Sequence, residues 1–144
     1  MIRYVVDASV AIKWFIPETY AVEAGRLQHS SFQLHAPAFF LLEVGNVLCK
    51  KIRRQELTRE ESDDILQELN QVPVQRHSDQ RLFQSAYSLA RHTYRSLYDC
   101  LYLALAEAID GQVVTADKKL YHAITKGVFG GRILWVEDLP TLPF

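Results

Sequence analysis

Short apolar runs alternating with helical patterns predict an α/β fold, a central parallel sheet flanked by helices. Three observations carry this expectation. Residues 3–6 make a short apolar run of the kind found in strands buried on both faces. Long helical patterns, such as residues 38–54, separate that run from later strand-like segments. No repeat, linker or low-complexity stretch interrupts the 144 residues. One domain spanning 1–144 is therefore expected, long enough to bury roughly 70% of its unfolded surface.

The elements follow in order. After the first strand, residues 9–15 read as a short helix that stops before Pro17, because the residue preceding a proline is pushed out of helical geometry. Residues 19–28 read as a second helix and 33–36 as a strand. Pro37 suits the first turn of the helix that follows, residues 38–54. That helix ends in Lys50, Lys51, Arg53 and Arg54, cations favoured at a helix C-terminus. Thr58-Arg59-Glu60-Glu61 reads as a capping box opening a helix to about residue 70. Residues 74–76 are a weak strand, and Asp79 can cap a helix running to about residue 92. A further helix begins at Ser96 or Leu97 and ends near Asp110-Gly111. Residues 112–115 are a strand, 117–124 a short helix, and 132–136 a last strand after Gly130-Gly131.

Composition is ordinary for a globular chain, with 49% apolar and 23% charged residues. A formal charge of −1 does not advertise a nucleic-acid binder, so any such role must rest on local patches. Cys49 and Cys100 fall in helical patterns without a CxxC or Cys/His grouping, and read as reduced thiols in the core. Asp7 interrupts the N-terminus before a signal-peptide core can form, and no apolar stretch approaches the ~20 residues of a membrane helix. A soluble, cytoplasmic protein without membrane contact is expected.

Four acids stand in apolar company. Asp7 ends Ile2-Arg3-Tyr4-Val5-Val6, and Glu43 interrupts Phe39-Phe40-Leu41-Leu42. Asp99 lies within Leu97-Tyr98-Asp99-Cys100-Leu101, and Asp117 follows Val113-Val114-Thr115-Ala116. A carboxylate taken from water costs several kcal/mol unless it is paired, hydrogen-bonded or bound to metal. Each has a structural alternative: Asp7 can start a helix, Asp117 can cap one, Asp99 can be a helix-terminal acid, and Glu43 can pair with a cation. Convergence on one divalent cation explains all four together. Asp7 and Asp117 both follow strands, and the carboxyl ends of parallel strands line the ligand crevice of an open sheet. Ser9 and Thr115 can donate hydroxyl hydrogen bonds there, and Asn46 shares a helix face with Glu43. An oxygen-rich, histidine-free set suits Mg2+ or Mn2+ rather than zinc.

The segments around these acids resemble the PIN-domain nucleases, most closely the VapC-type toxins of toxin–antitoxin pairs. The matching pieces are Val5-Val6-Asp7-Ala8-Ser9-Val10-Ala11-Ile12-Lys13-Trp14-Phe15 and Glu43-Val44-Gly45-Asn46-Val47-Leu48. Tyr98-Asp99-Cys100-Leu101-Tyr102-Leu103-Ala104-Leu105-Ala106 and Val114-Thr115-Ala116-Asp117-Lys118-Lys119-Leu120 complete the set. Gly45 and Cys100 stand where the family often has Ala. The resemblance implies metal-dependent hydrolysis of RNA with Asp7, Glu43, Asp99 and Asp117 as the acidic site and Ser9, Asn46 and Thr115 in support. On that reading Asp7, Asp99 and Asp117 hold one Mg2+ (or Mn2+), directly or through water, and Glu43 helps bind a second ion or orients the water. The resemblance also implies a homodimer and a cognate antitoxin whose groove lies near Trp14 and Phe15.

RNA must be drawn to a negative site by nearby cations. Lys13, Lys50, Lys51, Arg53 and Arg54 are the candidate phosphate contacts, with Lys118 and Lys119 also close to an acid in sequence. Two other readings are a non-catalytic PIN scaffold, which loss of the acids would mark, and a PIN-like nuclease acting on DNA. A phosphatase using an aspartate two residues after Asp7 is disfavoured by Ser9 at that position, and no GxxxxGK[ST] phosphate loop is present.

Overall fold

Ile2–Val6 forms β1, and its last three residues are all buried, so both faces of this strand are covered. The computed structural model describes residues 1–141. Asp7 then caps α1, Ala8–Ala11, which tightens into a 3-10 turn, Ile12–Trp14. The expected second helix is likewise a short α2, Ala21–Gly25, followed by a 3-10 turn, Arg26–Gln28. Phe32–Pro37 is β2, Phe40–Arg53 is α3, Arg59–Gln71 is α4 and Val74–His77 is β3. Asp79–Thr93 is α5, Leu97–Ile109 is α6, Gln112–Thr115 is β4, Lys118–Thr125 is α7 and Ile133–Trp135 is β5.

The five strands lie in the order β3-β2-β1-β4-β5, each parallel to its neighbours. Parallel neighbours need crossover connections, which the helices supply. The α/β reading with a central parallel sheet therefore holds. From β1 the chain first moves outward through β2 to β3, then returns through α5 and α6 to β4 on the other side of β1. The reversal places the switch point of the sheet between β1 and β4. Helix α6, buried from Cys100 to Ala106, lies across β1, β2 and β4 and packs along α5.

Three expectations are corrected. Pro37 is the last residue of β2, not the first turn of a helix. Pairing of β1 with β2 stops at His35, so at Pro37 only β3 remains alongside and a missing N–H is tolerated there. Asp79 does not cap α5; Ser78 does, its hydroxyl accepting from the Arg81 N–H at 3.3 Å. Freed of that task, Asp79 accepts from the Phe39 N–H at 3.2 Å and ties the start of α3 to the start of α5. Cys49 is exposed, and only Cys100 of the two thiols lies in the core. The Thr58–Glu61 capping box is present, with both reciprocal bonds formed, and Ser96 caps α6.

Among the described residues, no helix is long and apolar enough to cross a membrane.

Candidate active site

Asp7 and Asp117 both lie at the switch between β1 and β4, just after those strands. Asp7 leaves the end of β1 and is buried. Its N–H donates to the Val114 carbonyl of β4 at 3.3 Å, which continues the strand pairing one step beyond β1. Its Oδ2 accepts from the Thr115 hydroxyl at 2.7 Å and from the Ser9 hydroxyl at 3.1 Å. Ser9 Oγ in turn accepts from the Ala116 N–H at 3.1 Å, and Thr115 Oγ1 from the Asp117 N–H at 3.0 Å. The two strand ends are thus laced through one carboxylate and two hydroxyls. Ser9 and Thr115 take the hydroxyl-donor positions expected of them.

Glu43 projects from the first turn of α3 and is half-buried. The Tyr102 hydroxyl, from α6, donates to its Oε1. Sequence reasoning missed Tyr102. The available signal was its place one turn after Asp99 in an apolar helix, since a buried tyrosine hydroxyl almost always has a partner. Burial pushes the Tyr102 phenol far above its ordinary range, and the Asp7 and Glu43 charges push the same way, so it stays a donor. Asn46, one turn beyond Glu43, is exposed.

Asp99 lies in the first turn of α6, where the N-terminal dipole favours an anion. Arg95 holds it, Nη2 to Oδ2 at 3.1 Å, a partner the sequence reading also missed. Burial raises the Asp7 pKa, the Thr115 and Ser9 hydrogen bonds pull it back, and the Asp99 charge adds to the rise. Burial likewise raises Glu43, Tyr102 opposes it, and the charges of Asp7 and Asp99 add to it. These three acids, from the end of β1 and the first turns of α3 and α6, therefore share one electrostatic environment.

Asp117 differs. It is exposed, and its Oδ1 accepts from the Lys119 and Leu120 N–H groups at 3.0 and 3.3 Å, capping α7. Its backbone N–H donates to Thr115 Oγ1, which links it to Asp7. Among the described residues, no three Asp, Glu, His or Cys side chains stand close enough as placed to share one metal ion. The chemistry of the donor set still fits a hard cation: oxygen ligands only, with a buried Asp7 whose charge a cation would offset.

The candidate cations divide. Lys13 and Lys51 both turn to Glu18, at 3.9 and 3.2 Å, and Lys51 also approaches Glu56 at 3.5 Å. Their side chains are only 13% and 18% exposed. Lys50, Arg53 and Arg54, near the end of α3, are exposed. Trp14 and Phe15 are half-buried against the core, and Trp14 Nε1 donates to the Ala24 carbonyl at 2.8 Å. A cavity of about 650 Å³ lies by the opening residues of β2 and β3, lined by Met1, Phe32, Leu34 and Pro73 among others, and none of the four acids lines it.

The PIN domain family matches residues 4–125. Ribonuclease VapC3 of Mycobacterium tuberculosis is 38% identical over 121 residues, 84% of this chain and 87% of that protein. Ribonuclease VapC3 of Pyrobaculum aerophilum is 33% identical over 120 residues, 82% of this chain and 92% of that protein. In fold, the crystal structure of PAE2754 from Pyrobaculum aerophilum aligns with a TM-score of 0.71 at 23% identity, covering 96% of this chain and 86% of that one. A toxin–antitoxin complex from Klebsiella pneumoniae aligns with a TM-score of 0.62 at 14% identity, covering 91% of this chain and 95% of the other.

Proposed function

The chain belongs to the PIN domain family, and from that premise we propose that it is a metal-dependent endoribonuclease of the VapC type. It is the toxin of a toxin–antitoxin pair and inhibits translation by cleaving tRNA, rRNA or mRNA. One observation supports this above the others: at the carboxyl end of the central strand the buried Asp7 carboxylate is held by the Ser9 and Thr115 hydroxyls, and the Asp99 charge pushes both Asp7 and Glu43 upward. A solely structural role would scatter such acids among cations, and among the described residues only Asp99 of the three has an ion pair.

Asp7, Asp99 and Asp117 would hold one Mg2+ or Mn2+, directly or through bridging water, with Glu43 binding a second ion or orienting the attacking water. The bound cation would supply a water acidic enough to attack phosphorus and would neutralise charge on the phosphate. The chain's own groups supply the rest. The Thr115 and Ser9 hydroxyls hold Asp7 through Oδ2, while Oδ1 accepts only the longer bond from the Ser9 N–H at 3.5 Å among the described residues. Tyr102 fixes Glu43 by one oxygen and leaves the other to act on water. Asn46, exposed one turn beyond Glu43 on the same helix, would support the acid as a polar neighbour. Lys50, Arg53 and Arg54 would contact the RNA phosphates, whereas Lys13 and Lys51 must first part from Glu18. The partner is an antitoxin seated near Trp14 and Phe15, and the active chain pairs as a homodimer of one-domain subunits.

Mapping RNA 5′ ends after brief induction in cells tests the reading. New ends at one or a few discrete positions are expected with the wild type and none with Asp7→Asn. The same ends appearing with both proteins, or none with either, would overturn it.

A further inference from the structure

Arg95 stands at the junction of α5 and α6. Tyr94 before it ends α5 with a φ of 58°, and Ser96 after it caps α6. The Nη2 of Arg95 donates to Asp99 Oδ2 at 3.1 Å, while its Nε is buried with no hydrogen-bond partner among the described residues. A guanidinium offers Nε–H and a neighbouring Nη–H as a fork matched to the two oxygens of a carboxylate. Arg95 uses half of that fork and leaves the other half unsatisfied.

An ion pair arranged for stability alone would close the fork, because a buried donor without a partner is a cost. It would also be placed away from the acids. Of Asp7, Glu43 and Asp99, the guanidinium occupies the one carboxylate that neither a hydroxyl nor a phenol holds. The two side chains are 29% and 27% exposed, so the pair is weak enough to yield.

We propose that Arg95 sets the metal affinity of the acidic cluster: its guanidinium and the divalent cation compete for the Asp99 carboxylate, so that the ion is held loosely and exchanges readily. The inference rests on the metal-dependent reading of Asp7, Glu43, Asp99 and Asp117. Arg95 is a positioning residue; it acts through Asp99 and not on the substrate.

Isothermal titration of the full chain with Mn2+ tests this without any cleavage reaction. Arg95→Gln keeps a donor within reach of Asp99 and removes the charge, and it should bind Mn2+ roughly fivefold more tightly, the worth of a partly exposed ion pair. Arg95→Lys keeps the competing charge and should stay within about twofold of the wild type. Unchanged or weaker binding by a folded Arg95→Gln overturns the proposal. If binding is unchanged while KM for RNA rises, Arg95 contacts substrate phosphate instead. Asp7→Asn separates the two levels of inference: a wild type that binds no Mn2+, or one whose affinity Asp7→Asn leaves intact, sinks the metal reading and this proposal with it. In the unmodified protein, the Arg95 Nε–H resonance should move as Mg2+ fills the site; a resonance that stays fixed through saturation contradicts competition even if the variants fail to fold.

Discussion

At the scale of single residues, the sign of each pKa shift makes a prediction. Asp7 is pushed up by burial and by Asp99, so the folded state takes its proton more readily than the unfolded chain does. Stability from that source is full below the unfolded value near 3.8 and is lost as pH rises through the higher folded value. Asp7→Asn removes the charged form, and at pH 7 in EDTA it should melt a few degrees higher than wild type, on the order of 1 kcal/mol. Added Mg2+ should stabilise the wild type and leave the variant nearly unmoved. A variant that melts lower in EDTA would make Asp7 a plain structural acid. Tyr102→Phe deletes the one side-chain donor to Glu43 among the described residues and should lower stability by about 1.5–3 kcal/mol, as for other hydrogen bonds to charged groups; urea unfolding checks it, and a change within error would mean Glu43 is satisfied by water. His35 and His77 titrate with the opposite sense. Their rings meet at 2.9 Å, burial lowers both, and His77 and Arg3 lower His35 further. Their contribution is full above the unfolded value near 6.5 and is lost as pH falls through it. Between pH 7 and 5.5 the wild type should therefore lose more stability than His77→Gln, and parallel curves would refute the pairing. The four acids were legible in the sequence because each broke an apolar run. Tyr102 and Arg95 were not, because a tyrosine in an apolar helix and an arginine in a loop are ordinary until a partner from another element is known.

At the scale of elements, most strands and helices fall within a few residues of expectation. Caps explain much of that: Thr58, Ser96 and the helix stop before Pro17 are local signals, read from neighbours in sequence. The misses are tertiary. Pro37 ends a strand because β1 has already ceased to pair beside it, and Asp79 serves α3 rather than α5. Neither partner lies nearby in sequence. The turn between α6 and β4 gives an element-scale prediction. Asp110 closes α6 with a φ of 53°, and a Cβ on Gly111 would lie 2.5 Å from the carbonyl oxygen of Arg3 in β1. That carbonyl cannot withdraw without moving the central strand. Gly111→Ala should cost roughly 2 kcal/mol or more, the range of overpacked sites, and should loosen the seam between β1 and β4 on which Asp7 depends. A thermal melt within a degree of wild type would show that the turn can give.

At the scale of the whole molecule, the strand order decides the site. Both Asp7 and Asp117 could be seen to follow strands, but only the order β3-β2-β1-β4-β5 makes those strands neighbours and lets Thr115 reach Asp7. Long-range order of parallel strands leaves no local trace in a sequence, so the crevice was an expectation of the fold class. The electrostatics had the same limit. The basic residues ending α3 read as one patch, yet Lys51 is drawn away with Lys13 to Glu18. Lys50, Arg53 and Arg54 remain exposed as the positive surface nearest in sequence to Glu43. The central claim is that acids from β1, α3 and α6 form one metal-dependent site for cutting RNA. Single-turnover cleavage of total RNA by the purified protein tests it most directly, measured with Mg2+ or Mn2+, with EDTA, and with Asp7→Asn. Cleavage that needs the cation, stops in EDTA and falls at least a thousandfold in Asp7→Asn is the expected result, about 4 kcal/mol of lost transition-state stabilisation. Cleavage that persists in EDTA, or that Asp7→Asn leaves undiminished, would contradict it.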